Sequence, residues 1–264
     1  MILRRYTLQD EVQWNHFVST SKNGTFLFQR SYMDYHSDRF TDHSLIAMSD
    51  SGRWIAVLPS CEQGKIFSTH AGLSYGGWVT NQDMTCPEML ALFDELMTYL
   101  ARAGFESINY KTIPHIYHRL PSEEDSYALF RHNATLWRRD TLSVLELRVP
   151  PLIQERRKRG AKKALQHHVQ IKLDQHSSQV YAEFWQCLLA NLQTQFQQKP
   201  THSLAEIDTL AKLHPAHIQL HTAYVDGELC AGIVVYLAEP VCHVQYISAT
   251  PSGKKNGRSG SLVS

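Results

Sequence analysis

The sequence predicts an α/β (α+β) protein of two lobes, each a mixed sheet flanked by helices, joined near residue 150. Three observations carry that reading. Helical patterns lead into a β-hairpin at 44–59, the same order returns with a hairpin at 218–237, and Pro150–Pro151 separates the two series. The expected domains are therefore 1–150 and 151–264. Identity between the halves is negligible, so the order of elements repeats and the sequence does not.

In the first half, Thr7 and Asp10 open a short helix with Trp14, Phe17 and Val18 at helical spacing. The stretch SLIAMSDSGRWIAVLP places two apolar runs around a turn at Asp50, Ser51 and Gly52. Thr85 is placed to cap a longer helix, Pro87 sits in its first turn, and Met89, Leu92, Phe93, Leu96 and Leu100 form its stripe. Gly104 stops it. FESINYKTI then predicts a strand, Ser122 to His132 a helix, and TLSVLELRV another strand.

In the second half, a basic helix spans Ile153 to His168 and a strand Val169 to Leu173. A long helix carries Phe184, Leu188, Leu192 and Phe196, and Ser203 with Glu206 caps the next as far as Leu213. The second hairpin turns at Asp226–Gly227, and VCHVQYISAT closes the series as a strand apolar enough to sit centrally in its sheet.

Composition bounds the function classes. The chain has 264 residues, 43% hydrophobic and 19% charged, which is ordinary globular usage. A formal net charge of +1 provides no global field for nucleic acid or anionic membrane. Apolar runs such as Leu229 to Ala238 are strand-length, and MILRRYTLQD has no apolar signal core, so a cytoplasmic protein with no membrane span is expected. Five scattered cysteines never form a CxxC pair, and fifteen histidines include no HExxH. Reduced core thiols and no metal are expected.

Three stretches carry a family resemblance. RRKRGAKKALQHHVQIKLDQ with FWQCLLANL resembles the opening of the second lobe in Fem-type transferases, tandem-lobe members of the GNAT N-acetyltransferase superfamily. NGTFLFQRSYMDYHSDRFTDHSL with HAGLSYGGWV is similar to the first lobe of FemAB-like acyltransferases associated with surface polysaccharide synthesis. AGIVVY and VCHVQYISATPSGKKNG resemble the central GNAT strands and the cofactor loop after them. The resemblance covers the chain to about Gly257 and then departs, because the superfamily pattern continues into a helix and further strands. It therefore implies a second lobe incomplete after its cofactor loop, with 258–264 read as a frameshifted remnant.

The implied activity is transfer of an acyl group from acyl-CoA (acetyl-CoA) to an amine acceptor, an amino sugar being one candidate. A rival on the same fold is an aminoacyl-tRNA-dependent peptidoglycan-type ligase, the only reading that brings in nucleic acid. A third is a non-catalytic truncated remnant. Such a reaction needs a base, oxyanion donors and a phosphate cradle. His115, His118 and His202 are base candidates, and Tyr246 is a further catalytic candidate on the closing strand, where Gln245 and Ile247 would face the donor. Gly253, Lys254, Asn256 and Gly257 would hold its pyrophosphate. Strand-end loops with His70, Tyr75, Lys111 and Arg119 suit a sugar or nucleotide acceptor, expected between the lobes. The cations Arg156 to Lys163 read as a solvated helix face, a small-anion site or an RNA contact; without interleaved aromatics the small anion is favoured over RNA.

Overall fold

The computed structural model describes residues 1–149, 152–166, 168–174, 177–251 and 253. The chain divides into two compact units, Met1–Trp137 with Ala238–Val241, and Arg138–Leu237 with the chain from Cys242.

The first unit contains β1 (Ile2–Arg5), α1 (Glu11–Thr20), α2 (Arg30–Met33), β2 (Thr41–Asp42), β3 (Leu45–Met48) and β4 (Trp54–Leu58). It continues with β5 (Cys61–Gln63), β6 (Ile66–Ser68), β7 (Val79–Thr80), α3 (Cys86–Arg102), β8 (Ser107–Asn109) and α4 (Glu124–Arg131). Two four-stranded sheets result, ordered β1-β3-β4-β7 and β2-β5-β6-β8. Among the described residues of these two sheets only β6 and β8 pair in parallel, joined by the α3 crossover.

Local chemistry accounts for these elements. Gly52 turns the β3–β4 hairpin at φ +79°, a conformation glycine adopts without Cβ strain. The Glu88 carboxylate accepts from the Thr85 N–H at 3.0 Å, completing the capping box that starts α3. Gly104, at φ +83°, follows its end. The buried α3 stripe of Met89, Leu92, Phe93, Leu96 and Leu100 packs in one core with Leu45, Leu58, Phe67 and Trp78.

The second unit contributes α5 (Glu155–Gln166), β9 (Gln170–Asp174), α6 (Ser178–Phe196) and α7 (Leu204–Leu213). Its sheet adds β10 (Ile218–Val225), β11 (Glu228–Ala238) and β12 (Val241–Ala249), in the order β12-β11-β10-β9. Asp226 and Gly227 both have positive φ, as a tight primed turn requires. The two hairpins therefore lie in separate sheets. Gly232 brings β11 against α6: a Cβ there would stand 2.3 Å from the buried Phe184 ring.

Three expectations are corrected. Residues 141–149 form no strand, and Leu142, Leu147 and their apolar neighbours are exposed. Alternation specifies which face a strand would bury, but it cannot supply a pairing partner. β12 stands at the edge of its sheet among the described residues, not centrally, and Val244 and Ile247 are largely exposed. Of the free cysteines, only Cys61 and Cys230 are buried, while Cys242 is exposed.

Candidate functional site

Two clusters gather the chemistry-bearing residues, one in each unit. In the first, β8 runs directly into Tyr110 and Lys111, and this dipeptide fastens the loop 69–78 at both ends. The Lys111 ammonium donates to the carbonyls of Leu73 at 2.6 Å, Ala71 at 3.2 Å and His70 at 3.4 Å. Its main-chain N–H donates to Thr69 Oγ1 at 2.7 Å. Tyr110 accepts from the Trp78 N–H at 2.8 Å and donates to the Asp125 carboxylate of α4 at 3.0 Å.

Glycines make this tight seating feasible. A Cβ on Gly76 would lie 2.2 Å from the Thr69 carbonyl oxygen, and one on Gly77 would lie 2.9 Å from Tyr110 Oη. Burial pushes the Asp125 carboxyl up to about 6, with the Tyr110 hydrogen bond opposing the shift. Tyr110, half-buried, is held well above the ordinary phenol value, first by desolvation and then by Asp125.

His70, on the same loop, lies with its ring centroid 4.9 Å from that of His36 and an interplanar angle of 10°. Both are buried, at 3% and 2% exposure. Neither nitrogen of His36, nor Nδ1 of His70, has a hydrogen-bond partner among the described residues. Tyr35 also stacks on His36, with ring centroids 4.2 Å apart, and Phe40 meets both imidazoles. Burial lowers the pKa of both, that of His70 to about 3; Arg39 adds to the effect at His36, while the nearby Gly72 and Met33 backbones oppose it without satisfying either nitrogen at hydrogen-bonding geometry.

The acceptor candidates thus have defined places. His70, Tyr75 and Lys111 share the loop and its fastening; Tyr75 contacts Thr25 Oγ1 at 3.0 Å and packs its ring on Tyr117. Lys111 holds main-chain carbonyls, so its charge stabilises the loop's shape. His118 Nε2 meets the Ile113 carbonyl at 3.0 Å, and the Arg119 guanidinium donates to the carbonyls of Ser19 and Ser21. His115 is exposed. His36 was missed by the sequence reading, although it lies inside the quoted YMDYHSDRF stretch. No local pattern marks it as the stacking partner of a residue 34 positions away; only the folded loop does.

The second cluster joins two residues that the sequence singled out separately. His202 Nδ1 lies 2.6 Å from Tyr246 Oη, and the His202 N–H donates to the same oxygen at 3.2 Å. Trp185 of α6 packs edge-on against Tyr246 with ring centroids 5.0 Å apart. Burial raises the Tyr246 pKa, partly offset by hydrogen bonds from His202 and its neighbours, so the phenol is neutral at neutral pH. Two residues further along β12, Asn191 of α6 donates to Ser248 Oγ at 2.6 Å and to the Ala249 carbonyl at 2.8 Å.

Gln245 and Ile247 lie on β12, half-buried and exposed respectively. Gly253 is buried; its N–H donates to Thr250 Oγ1 at 3.1 Å, and a Cβ there would meet the Cys230 carbonyl oxygen at 2.3 Å. Its lack of a side chain therefore seats the turn on β11. Lys254, Asn256 and Gly257 lie outside the described residues. An open strand edge does fit an extended arm bearing amides, which adds to a sheet through main-chain hydrogen bonds. No group of three His, Cys, Asp or Glu side chains positioned for a metal occurs among the described residues.

No family model and no curated relative matches the sequence. Solved structures do match the fold. FemX aligns with 100% of this chain and 84% of its own at a TM-score of 0.67 and 8% identity. The C-terminal domain of a putative lysylphosphatidylglycerol synthetase from Agrobacterium fabrum aligns with 97% of this chain and 74% of its own, at a TM-score of 0.58 and 11% identity. A conserved protein of unknown function from Bacteroides thetaiotaomicron covers 100% of this chain and 86% of its own, at a TM-score of 0.58 and 12% identity. At such identities the likeness establishes a shared FemX-like α+β fold.

Proposed function

We propose that the protein is an N-acyltransferase, moving an acyl group from acyl-CoA to an amine acceptor of the amino-sugar class. The observation that carries this reading is the Tyr246–His202 pair on an edge strand whose outer main-chain groups are open among the described residues. In the proposed reaction the amine nitrogen attacks the thioester carbonyl, a C–N bond forms and the C–S bond breaks. The β12 edge binds the donor's amide arm and gives N–H groups to the developing oxyanion. Neutral Tyr246 delivers its proton to the departing thiolate and recovers one through His202, which takes up the proton that the amine gives up.

Calorimetric titration with acetyl-CoA, followed by thiol release with a panel of amines including glucosamine, tests the proposal. Saturable binding and amine-dependent thiol release support it. Binding of charged tRNA in place of acetyl-CoA would establish the aminoacyl-tRNA-dependent ligase. Failure to bind either donor would leave a protein without transferase chemistry. No helix among the described residues is long and apolar enough to cross a membrane.

A further inference from the structure

The acyl-transfer reading makes no use of the segment 138–163. Six of its apolar residues, Leu142, Val144, Leu145, Leu147, Val149 and Leu152, are between 56% and 102% exposed, and Ile153 is 37% exposed. The second unit buries Phe184, Trp185, Leu188, Ile207 and Leu210 in its interior without drawing on any of them. Contiguous apolar exposure on this scale marks an interaction surface.

The same segment is strongly basic. It holds nine lysines and arginines against three carboxylates, in a chain whose net charge is only +1. Three of the nine are neutralised locally, by the pairs Arg138–Asp140, Arg148–Glu146 and Lys158–Glu155. Arg156, Arg157, Arg159, Lys162 and Lys163 on α5 are exposed and form no ion pair among the described residues.

We propose that residues 138–149 and 152–163 form a docking surface for an anionic lipid bilayer, bound from one side and not spanned. Charge complementarity selects this occupant. RNA would match the cations but leave six large aliphatic side chains in water. A second copy of the chain could cover the aliphatic groups, but it would oppose two segments of the same strong positive charge. An anionic bilayer accepts both, with aliphatic side chains entering the headgroup boundary and cations drawn to the lipid charge.

The test is flotation of the full chain with vesicles of phosphatidylcholine alone or with about one-third phosphatidylglycerol. Binding is expected only to the anionic vesicles, and it should weaken at high salt. Each cation near such a surface contributes about fivefold in partitioning, so Arg156→Gln with Arg157→Gln and Arg159→Gln should lower it on the order of a hundredfold. Leu145→Asp with Leu147→Asp should lower it at least about tenfold with unchanged circular dichroism, since both side chains are exposed. The salt and lipid dependence of the unaltered chain stand without either variant. Failure to float, equal flotation on neutral vesicles, or indifference to the aspartate pair overturns the proposal. So does an RNA gel shift, or a dimer in sedimentation, without flotation. Acetyl-CoA titration reads the transferase proposal separately, so either can fail alone.

Discussion

Tyr246 Oη and His202 Nδ1 stand 2.6 Å apart, tying the middle of β12 to the residue just ahead of the α7 cap. The Trp185 ring fixes the phenol from the α6 side. Tyr246→Phe keeps that ring contact and removes only the hydroxyl. It should cost about 1 kcal/mol in denaturant unfolding, the net worth of a typical hydrogen bond. Under the transfer reading it should lower kcat by roughly 10²–10⁴-fold with acetyl-CoA affinity unchanged. An unaltered kcat would place Tyr246 outside the chemistry and leave it a structural tie.

Gly76→Ala should be damaging for a reason separable from backbone preference. Its new Cβ would meet the Thr69 carbonyl oxygen at 2.2 Å, and that main chain is itself engaged with Asn109 and, through Thr69 Oγ1, with Lys111. The expected loss is about 1–3 kcal/mol. Gly52→Ala provides the contrast, with positive φ but nothing within 4 Å of the added Cβ, and should lose about 1 kcal/mol. Thermal melts of the two variants compare a steric clash with a conformational preference. A Gly76→Ala melt unchanged from the parent would mean that the loop yields at no cost.

How much of this was legible depended on whether the cause was local. Helix α3 was readable because Thr85, Glu88, Pro87, the apolar stripe and Gly104 each act within a few residues. Both hairpins were readable from turn chemistry. Strand position was not: the apolar character of β12 reports an affinity for burial, whereas its place at the edge depends on which strands pair beside it. The 141–149 stretch alternates like a strand and pairs with nothing among the described residues. For the site, Tyr246 and His202 were readable as candidates but not as a pair, since 44 residues separate them. The fastening role of Lys111 was hidden for a further reason: its partners are main-chain carbonyls, which any sequence provides.

Asp125 should make stability fall as pH rises. Its folded-state value of about 6 lies above the ordinary carboxyl value of 3.8, with burial the first cause. The neutral acid is thus favoured in the folded state; its contribution is complete below about pH 4 and is lost as pH rises through about 6. The full shift corresponds to roughly 3 kcal/mol. Asp125→Asn keeps an acceptor for Tyr110, gives up the one that takes the Ser126 N–H at 2.7 Å, and cannot ionise, so it should remove this slope. Denaturant titrations at pH 4.5 and 7 measure it, and a slope that survives in the variant would assign it to another group.

The stacked imidazoles should impose the opposite dependence. His36 and His70 have depressed pKa values in the folded state, that of His70 about 3, so their stability is complete above about pH 6.5 and is lost as pH falls toward 3. Burial is the first cause in both. Among charged neighbours, Arg39 opposes protonation of His36 and Asp38 assists it, while Arg30, Lys111 and the other imidazole oppose it at His70. Each histidine that is protonated only on unfolding contributes up to about 1.4 kcal/mol per pH unit. Asp125 acts in an overlapping range with opposite sign, so the comparison belongs in the Asp125→Asn background. There, His36→Phe should preserve the stacking with Tyr35 and His70, remove two buried nitrogens that lack partners among the described residues, and reduce the slope below pH 6.5. Its stability at pH 7.5 should be no lower than that of the parent. If the slope is unchanged while the variant stays folded, His36 is not protonated on unfolding, and the acid sensitivity belongs elsewhere.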